Sequence, residues 1–379
     1  MKKKNKILIA LLIVFLLLIS SLIGVYFYVT NSLKLTNSFL KGEICESDMP
    51  CENTVFVVDE GAYGKTTLDK LQEMGIIKNS KIVYYYNRLF TGYSFPAGYY
   101  EIPHKVEDEN GNQRDITLDE LLGFIANPNN AHQDTVTISF IEGGLIKEFA
   151  KQIGENTTVS EEEIFNYWND ENVIRSYMKE YPFLTEDIFN DDVRYYLEGY
   201  LFPDTYEFFE FTNCDEVTRR FLDRTLEIYN KYQNDFKNSS FSIHEIFTLA
   251  SIVQGETGNS ADARLVSGVF VDRYNAPEVL ASSVTSCYAF DLSKAECNDF
   301  GESLDITHQD HPYNTYTNQG LPPGPVCNPN EVSIDAALNP DSQGYFYFCA
   351  DLCNGGTVFA KTLTEHNYNI ETYYLACME

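Results

Sequence analysis

The sequence predicts an α+β protein: an N-terminal transmembrane helix, a small α/β module, then a larger α+β domain. Three observations lead there. A basic N-terminus precedes 23 residues without a charge. Short β-branched runs then alternate with amphipathic helical patterns across residues 54–126. Further on, a strongly apolar helical run ends at Gly255-Glu256, and the segments around it are turn-rich and aromatic.

Length and charge narrow the function. A chain of 379 residues is long enough for two or three domains. Its net charge of −29 excludes nucleic acid, because phosphate binding needs clustered Lys and Arg. The same charge opposes broad adhesion to anionic lipid or anionic wall polymers. A neutral polymer such as a glycan strand stays compatible. With 27 Tyr and 26 Phe but one Trp, any platform for sugars rests on Tyr and Phe.

Residues 1–6, Met1-Lys-Lys-Lys-Asn-Lys6, form a basic tail. Residues 7–29 follow as a membrane span, since about 20 apolar residues cross a bilayer. A cleaved signal peptide would have a shorter core and a small-residue cleavage site. Here the run ends in Val25-Tyr-Phe-Tyr-Val29, an aromatic belt. Lysines before the span place the N-terminus in the cytoplasm and the rest outside. All nine cysteines lie after the span, on the oxidising side. Cys45/Cys51 and Cys287/Cys297 are close enough in sequence for small-loop disulfides, and an odd count leaves a thiol over. Cys349-x-x-x-Cys353 alone is too little for a zinc site, so no metal is expected.

Residues 30–53 read as a stalk, and 54–130 as the small module. In it, Thr54–Val58 is a strand by β-branching, and Thr66–Met74 a helix with Leu68, Leu71 and Met74 on one face. Phe95–Pro103 is strand-like. Thr117 and Glu120 form a capping-box pattern that opens a helix to Ala126. The module is either a spacer or a glycan-binding unit. From 131 to 379 the second domain begins with a strand at Thr135–Ile141, a turn at Glu142–Gly144 and a helix over Leu145–Ile153. Glu161–Tyr177 and Glu186–Leu197 read as acidic helices.

The chemistry concentrates after Val193. Ser242 and Glu245 form a second capping box, and Ile243, Ile246, Phe247, Ala250 and Val253 recur at helical spacing. Gly255 and Gly258 mark the end of that helix. Glu256 then sits at its C-terminus, where the helix dipole and partial burial both disfavour a charged carboxylate. Such a carboxyl suits a general acid. By itself, the position also fits a solvated glutamate in a helix-ending loop. Glu198-Gly-Tyr-Leu-Phe-Pro-Asp-Thr-Tyr206 and Tyr313-Asn-Thr-Tyr316 with Gly320-Leu-Pro-Pro-Gly-Pro325 read as stiff loops able to wall a groove. Each could equally be a packed connector. Glu365-His-Asn367 reads as structural.

These segments, with Ala250-Ser-Ile-Val-Gln-Gly-Glu-Thr257, Val269-Phe-Val-Asp-Arg273 and Asn328-Pro329, stand in the order seen in the YceG-like, MltG-type endolytic murein transglycosylases, and the chain resembles that family over about residues 54–375. The resemblance implies a bacterial enzyme anchored in the cell membrane by one span, with a LysM-like module before a YceG-like catalytic domain. It implies that Glu256 is the catalytic acid and that nascent peptidoglycan strands are cut between MurNAc and GlcNAc without water, leaving 1,6-anhydro ends. It requires no cofactor, and its role beside strand synthesis suggests cell-wall synthases as protein partners. Glu198, Tyr313, Asn314 and Tyr316 are the expected substrate contacts.

The chain departs from the family pattern in four segments. Gln254 stands where many members carry a second acid. Ala281-Ser-Ser-Val-Thr285 replaces Gln-Ser-Asp-Pro-Thr, so Ser283 stands for Asp and Val284 for Pro. Asp272 replaces Asn, and Thr357 stands where a Gly-Gly-His pattern has its His. A weakened or inactive glycan-binding or scaffold protein and a true hydrolase are the competing readings.

Overall fold

The computed structural model describes residues 2–44, 51–59, 61–108, 111–132, 134–257, 261–276, 278–292, 296–297 and 306–377. Mixed helices and short strands make two compact units: Met1–Thr135 with Phe209–Thr212, and Val136–Phe208 with Asn213–Glu379.

In the first unit, helix α1 (Lys2–Ser32) contains one window, Phe15–Ser32, long and apolar enough to cross a membrane. Its mean hydropathy is 1.6 and almost none of it is covered by protein. The helix runs three residues past the expected end at Val29. Thr30 and Ser32 hydroxyls donate back to the carbonyls of Tyr26 and Tyr28, which lets these polar residues stay helical. The following residues are no free stalk. Leu35 and Phe39, the latter in α2 (Asn37–Leu40), are buried in this unit's core. Thr36 N–H donates to Ile76 O at 3.1 Å. Isolated apolar residues at 35 and 39 carry no periodic signal, so the docking was not legible in sequence.

Strand β1 (Asn53–Val58) pairs antiparallel with β2 (Gly98–Pro103), setting Phe56 opposite Tyr100. Between them lie α3 (Gly64–Glu73) and α4 (Ser80–Tyr86), and α4 continues into a π-helical turn, Asn87–Thr91. A hairpin, β3 (Lys105–Glu107) with β4 (Gln113–Asp115), leads to α5 (Leu118–Ala126). The expected capping box is present: Thr117 accepts from Glu120 N–H while the Glu120 carboxylate accepts from Thr117 N–H. Phe56, Leu68, Leu71, Val83, Leu121 and Ile125 fill the core.

In the second unit β5 (Thr135–Ser139) pairs with β6 (Thr205–Phe209). Helix α6 (Ile146–Asn156) follows the expected turn. The run expected as one helix over 161–177 divides into α7 (Glu161–Tyr167) and α8 (Glu171–Tyr177), because Asp170 leaves the helix to cap α8 from the N–H groups of Asn172 and Val173. The helix expected over 186–197 is a single 3₁₀ turn, Glu186–Phe189. Asn190 Oδ1 accepts from Asp192 N–H and turns the chain, and Arg194 is drawn to Tyr288 O and Asp291. Helices α9 (Cys214–Lys231) and α10 (Gln233–Asn238) precede α11 (Ile243–Glu256). Then come α12 (Ala263–Asn275), α13 (Ser283–Ala289) and α14 (Glu331–Leu338), and a hairpin of β7 (Tyr347–Ala350) and β8 (Thr357–Ala360) before α15 (Leu363–Asn369).

Cys287–Cys297 is a disulfide, as its spacing suggested, and Cys353 bonds Cys377. Cys51 is also disulfide-bonded. Cys45, its expected partner, and Gly258 lie outside the described residues. Among the described residues Cys214, Cys327 and Cys349 form no disulfide, and the first two are buried.

Candidate active site

Helix α11 positions the acid. Ser242 and Glu245 cap its start as expected, and Ile246 to Val253 are buried without a break. A helix apolar on nearly every face belongs inside a domain, so its end is held by the core. Glu256 is its last residue. Gly255 is not the stop signal the sequence suggested, because it lies within the helix. A Cβ there would stand 2.5 Å from Val284 Cγ1. The glycine therefore lets α13 press against the last turn of α11.

That contact brings two donors to the acid. Ser282 Oγ donates to Glu256 Oε1 at 2.6 Å, and the backbone N–H of Val284 also hydrogen-bonds this carboxylate. The Ser282 segment is itself locked to the loop 313–316. Ala281 N–H donates to Thr315 O at 3.0 Å, Ser282 N–H to Thr315 Oγ1 at 3.1 Å, and Ser286 Oγ to Asn314 Oδ1 at 2.9 Å. Ala281 takes a left-handed φ of 49°, a strained conformation for a residue with a Cβ. Strain of this kind persists only where the surroundings over-determine it, and here three hydrogen bonds do so.

Glu256 is partly exposed, yet burial of its carboxyl raises its pKa above the ordinary glutamate value. Ser282, the Arg273 charge and Val284 N–H each oppose that rise without cancelling it. Arg273, on α12, donates to Phe346 O at 2.7 Å and to Leu280 O, and its guanidinium lies 5.5 Å from the Tyr347 ring centre. His366 stacks on the other partner of that group, Tyr347, at 5.1 Å between ring centres. Burial, then the Arg273 charge, lowers the His366 pKa, so a neutral imidazole is favoured there. Tyr316 is partly exposed, and its phenol is pushed up by burial and by the Glu256 carboxylate.

Of the expected substrate contacts, Tyr316 alone combines exposure with nearness to Glu256. The other three are framework. Glu198 is buried and accepts from Ile146 N–H at 3.0 Å, Asn328 Nδ2 at 3.2 Å and Tyr288 Oη at 3.3 Å. Burial pushes its pKa up to about 8. Tyr313 is buried against Tyr288 and accepts from Arg194 N–H at 3.3 Å. Asn314 is buried and donates to the carbonyls of Ile306 and Gln309. In this state these side chains offer no surface to a sugar. Polar residues in a turn-rich loop read as groove walls because sequence does not reveal which way the loop folds over them.

The same burial explains the motifs. Gly199, at φ 85°, lets the chain pass Pro325, whose Cβ would lie 2.3 Å from an added side chain. Asn328 Oδ1 accepts from the N–H groups of Gly199 and Leu201. His244 bridges Tyr200 Oη at 2.7 Å and Pro323 O at 2.8 Å. Three distant segments are thus knotted behind α11. Gln254, noted as a departure from the family pattern, uses Oε1 to accept from Asn330 N–H and Ser333 Oγ, both at 3.0 Å, at the start of α14. Sequence reasoning missed Ser282 and Arg273 as groups on the acid, although both lie in the motifs it singled out.

A single carboxyl whose proton affinity burial raises, with one oxygen steadied and a cation close by, is suited to proton transfer to and from an oxygen atom. None of the groups that tune it is a second carboxylate. The YceG-like family model matches residues 56–372, and the chain belongs to that family. An endolytic murein transglycosylase of Bacillus subtilis (strain 168) is 32% identical over 305 residues, covering 80% of each chain. One of Streptococcus pneumoniae serotype 2 (strain D39) is 29% identical over 322 residues, covering 83% of this chain and 57% of the longer relative. The crystal structure of a YceG-like protein from Listeria monocytogenes superposes with a TM-score of 0.56 at 26% identity, covering 84% of this chain and 99% of that one.

Proposed function

We propose that the chain is a membrane-anchored lytic transglycosylase of nascent peptidoglycan, with Glu256 as its acid. The observation that carries this reading is the raised proton affinity of Glu256 beside Ser282 and Arg273. In the first half of the reaction the neutral carboxyl gives its proton to the glycosidic oxygen as the bond from MurNAc C1 breaks. GlcNAc leaves with a free 4-hydroxyl. The carboxylate then takes the proton of the MurNAc 6-hydroxyl while O6 bonds to C1. The ring closes to a 1,6-anhydro end, no water is consumed, and Glu256 is protonated again. One residue serves both steps, whereas a hydrolase flanks the bond with two carboxylates. Ser282 and Arg273 stabilise the carboxylate between the steps, and Tyr316 contacts the sugar.

The rest of the reading rests on the family and on α1. Helix α1 is a single-pass anchor in the bacterial cell membrane, with residues 1–6 in the cytoplasm and everything after it outside. The unit holding β1 to α5 is the LysM-like module that meets the glycan strand, and residues 131–379 form the catalytic domain. The partners are glycan strands and the synthases that make them.

Product analysis tests the activity. The full chain in detergent is incubated with uncrosslinked glycan strands beside a Glu256→Gln control, and fragments are read by mass spectrometry. Internal fragments with 1,6-anhydro ends, absent in the control, are expected. Reducing ends would mean hydrolysis, and no cleavage by folded protein would leave a binding or scaffold role.

A further inference from the structure

The first unit carries an exposed aromatic surface that its fold leaves unused. Along α4 and the π-helical turn after it, Val83 and Asn87 face the core, while Tyr85, Leu89 and Phe90 are 51%, 72% and 75% exposed. Tyr93 is exposed just beyond. The charge of this stretch is also unlike the rest of the chain. Residues 74–100 contain Lys78, Lys81 and Arg88 and no acid, in a protein of net charge −29. Lys78, Lys81 and Arg88 are all exposed.

Its position is fixed relative to α1, within the same unit. Lys78 Nζ donates to Asn31 Oδ1 at 3.3 Å, and Asn79 Nδ2 to Tyr28 Oη at 3.4 Å. Successive residues thus reach progressively earlier points on α1, and the tyrosine side chain points further back still. The chain is heading toward the apolar part of α1 as α4 begins. At the same level α1 carries its own exposed ring of Tyr26, Phe27 and Tyr28.

We infer that the segment Ser80–Tyr93 lies in the membrane interface beside the anchor, its aromatic face among lipid headgroups and its Lys and Arg paired with anionic lipid phosphates. Basic residues with Phe, Leu and Tyr on one face are what an interfacial helix needs, and such a surface binds by apolar burial plus attraction to anionic lipid. The strong overall negative charge opposes adhesion elsewhere on the molecule, so attachment is confined to this face. The consequence is orientation: two adjacent contacts, α1 and this segment, hold the first unit in one attitude on the bilayer where a lone helix would let it swivel. The inference rests on the reading of α1 as the anchor.

The test uses the full chain in phosphatidylcholine vesicles containing a minority of phosphatidylglycerol. Native Trp168 is buried and gives a constant background. Three variants are compared: Phe90→Trp, Tyr26→Trp in the anchor, and Tyr368→Trp, which is exposed in the second unit. The expected result is that Phe90→Trp emits to the blue of Tyr368→Trp and is quenched at least about twofold more by lipid spin-labelled high on the acyl chain. Replacing Lys78, Lys81 and Arg88 with Ser reduces that quenching, as does added salt. If Tyr26→Trp is quenched by lipid while Phe90→Trp stays open to acrylamide, the inference fails and the anchor stands. If both stay open to acrylamide, both fail. A Phe90→Trp signal unmoved by vesicles but shifted by glycan strands makes the face a sugar platform, which also overturns the inference.

Discussion

Val284 occupies the space that a Cβ on Gly255 would need, with its Cγ1 2.5 Å from that point. The pairing brings α13 onto the last turn of α11 and delivers Ser282 Oγ and Val284 N–H to Glu256. Gly255→Ala is therefore expected to push the two helices apart. Overpacking of this kind costs about 1–3 kcal/mol, and cleavage should fall by at least about tenfold because the acid loses its geometry. Val284→Ala removes both γ-carbons, so the double variant should recover most of the lost stability and activity. A double-mutant cycle in thermal stability and cleavage rate measures the coupling. Additive effects would sink the close-approach account.

The two donors to Glu256 make a prediction about pH. Hydrogen bonds to a carboxylate favour its charged form. Removing one raises a pKa that burial already holds high. An acid that must be protonated works below its pKa and loses activity as pH rises through it. Ser282→Ala should thus carry the alkaline limb of kcat/KM upward by about one pH unit. Val284→Pro removes the backbone donor and is compatible with the first turn of a helix. It should move the limb in the same direction while leaving Ser282 in place. A limb that stays put in both variants would mean that neither donor touches the working carboxyl.

Much of this was legible in the chain. Capping boxes at Thr117 and Ser242 are local, since two residues three apart decide each, and both form as read. The place of Glu256 at the end of α11 follows from helical periodicity, although Gly255, read as the stop, lies inside the helix. The partners of Glu256 were not legible, because Ser282 and Arg273 reach it only through tertiary packing. Glu198, Tyr313 and Asn314 show the same limit from the other side. A polar residue in a loop resembles a ligand contact until the fold shows that its hydrogen bonds are already taken by Ile146, Asn328, Ser286 and Ile306. The loss of the helix at 186–197 belongs here too, since Arg194 is held by residues about a hundred positions away.

Glu198 should make the fold itself sensitive to pH. Unfolded, it releases its proton near 4.5, whereas folded it keeps it to about 8. Between those values the unfolded chain binds fewer protons, so stability from this residue is present at acidic pH and is lost as pH rises. Each tenfold difference in proton affinity is worth about 1.4 kcal/mol. Glu198→Gln stays neutral and keeps the oxygen that accepts from Ile146 and Asn328. Thermal melts should show the two proteins alike near about pH 5, with the variant more stable by roughly 2–4 kcal/mol near about pH 8. Parallel curves across that range would show that Glu198 is ionised in the folded chain.

Arg273 separates positioning from charge. Its guanidinium holds two carbonyls from different segments, Phe346 at the edge of β7 and Leu280 one residue before strained Ala281, and it lies near enough to Glu256 to favour the carboxylate. Lysine keeps the charge but cannot reproduce the fork. Arg273→Lys should therefore leave the alkaline limb near its native position and lower the plateau rate, by about tenfold, because the segment carrying Ser282 is no longer tied down. Arg273→Met loses both functions. Its plateau should fall at least as far, and its limb should move upward as the opposite charge beside Glu256 disappears. The pH profiles of the two variants decide the matter. Equal limbs would mean that Arg273 acts through geometry alone, and a native plateau in Arg273→Lys would mean that its carbonyl contacts do not set the acid.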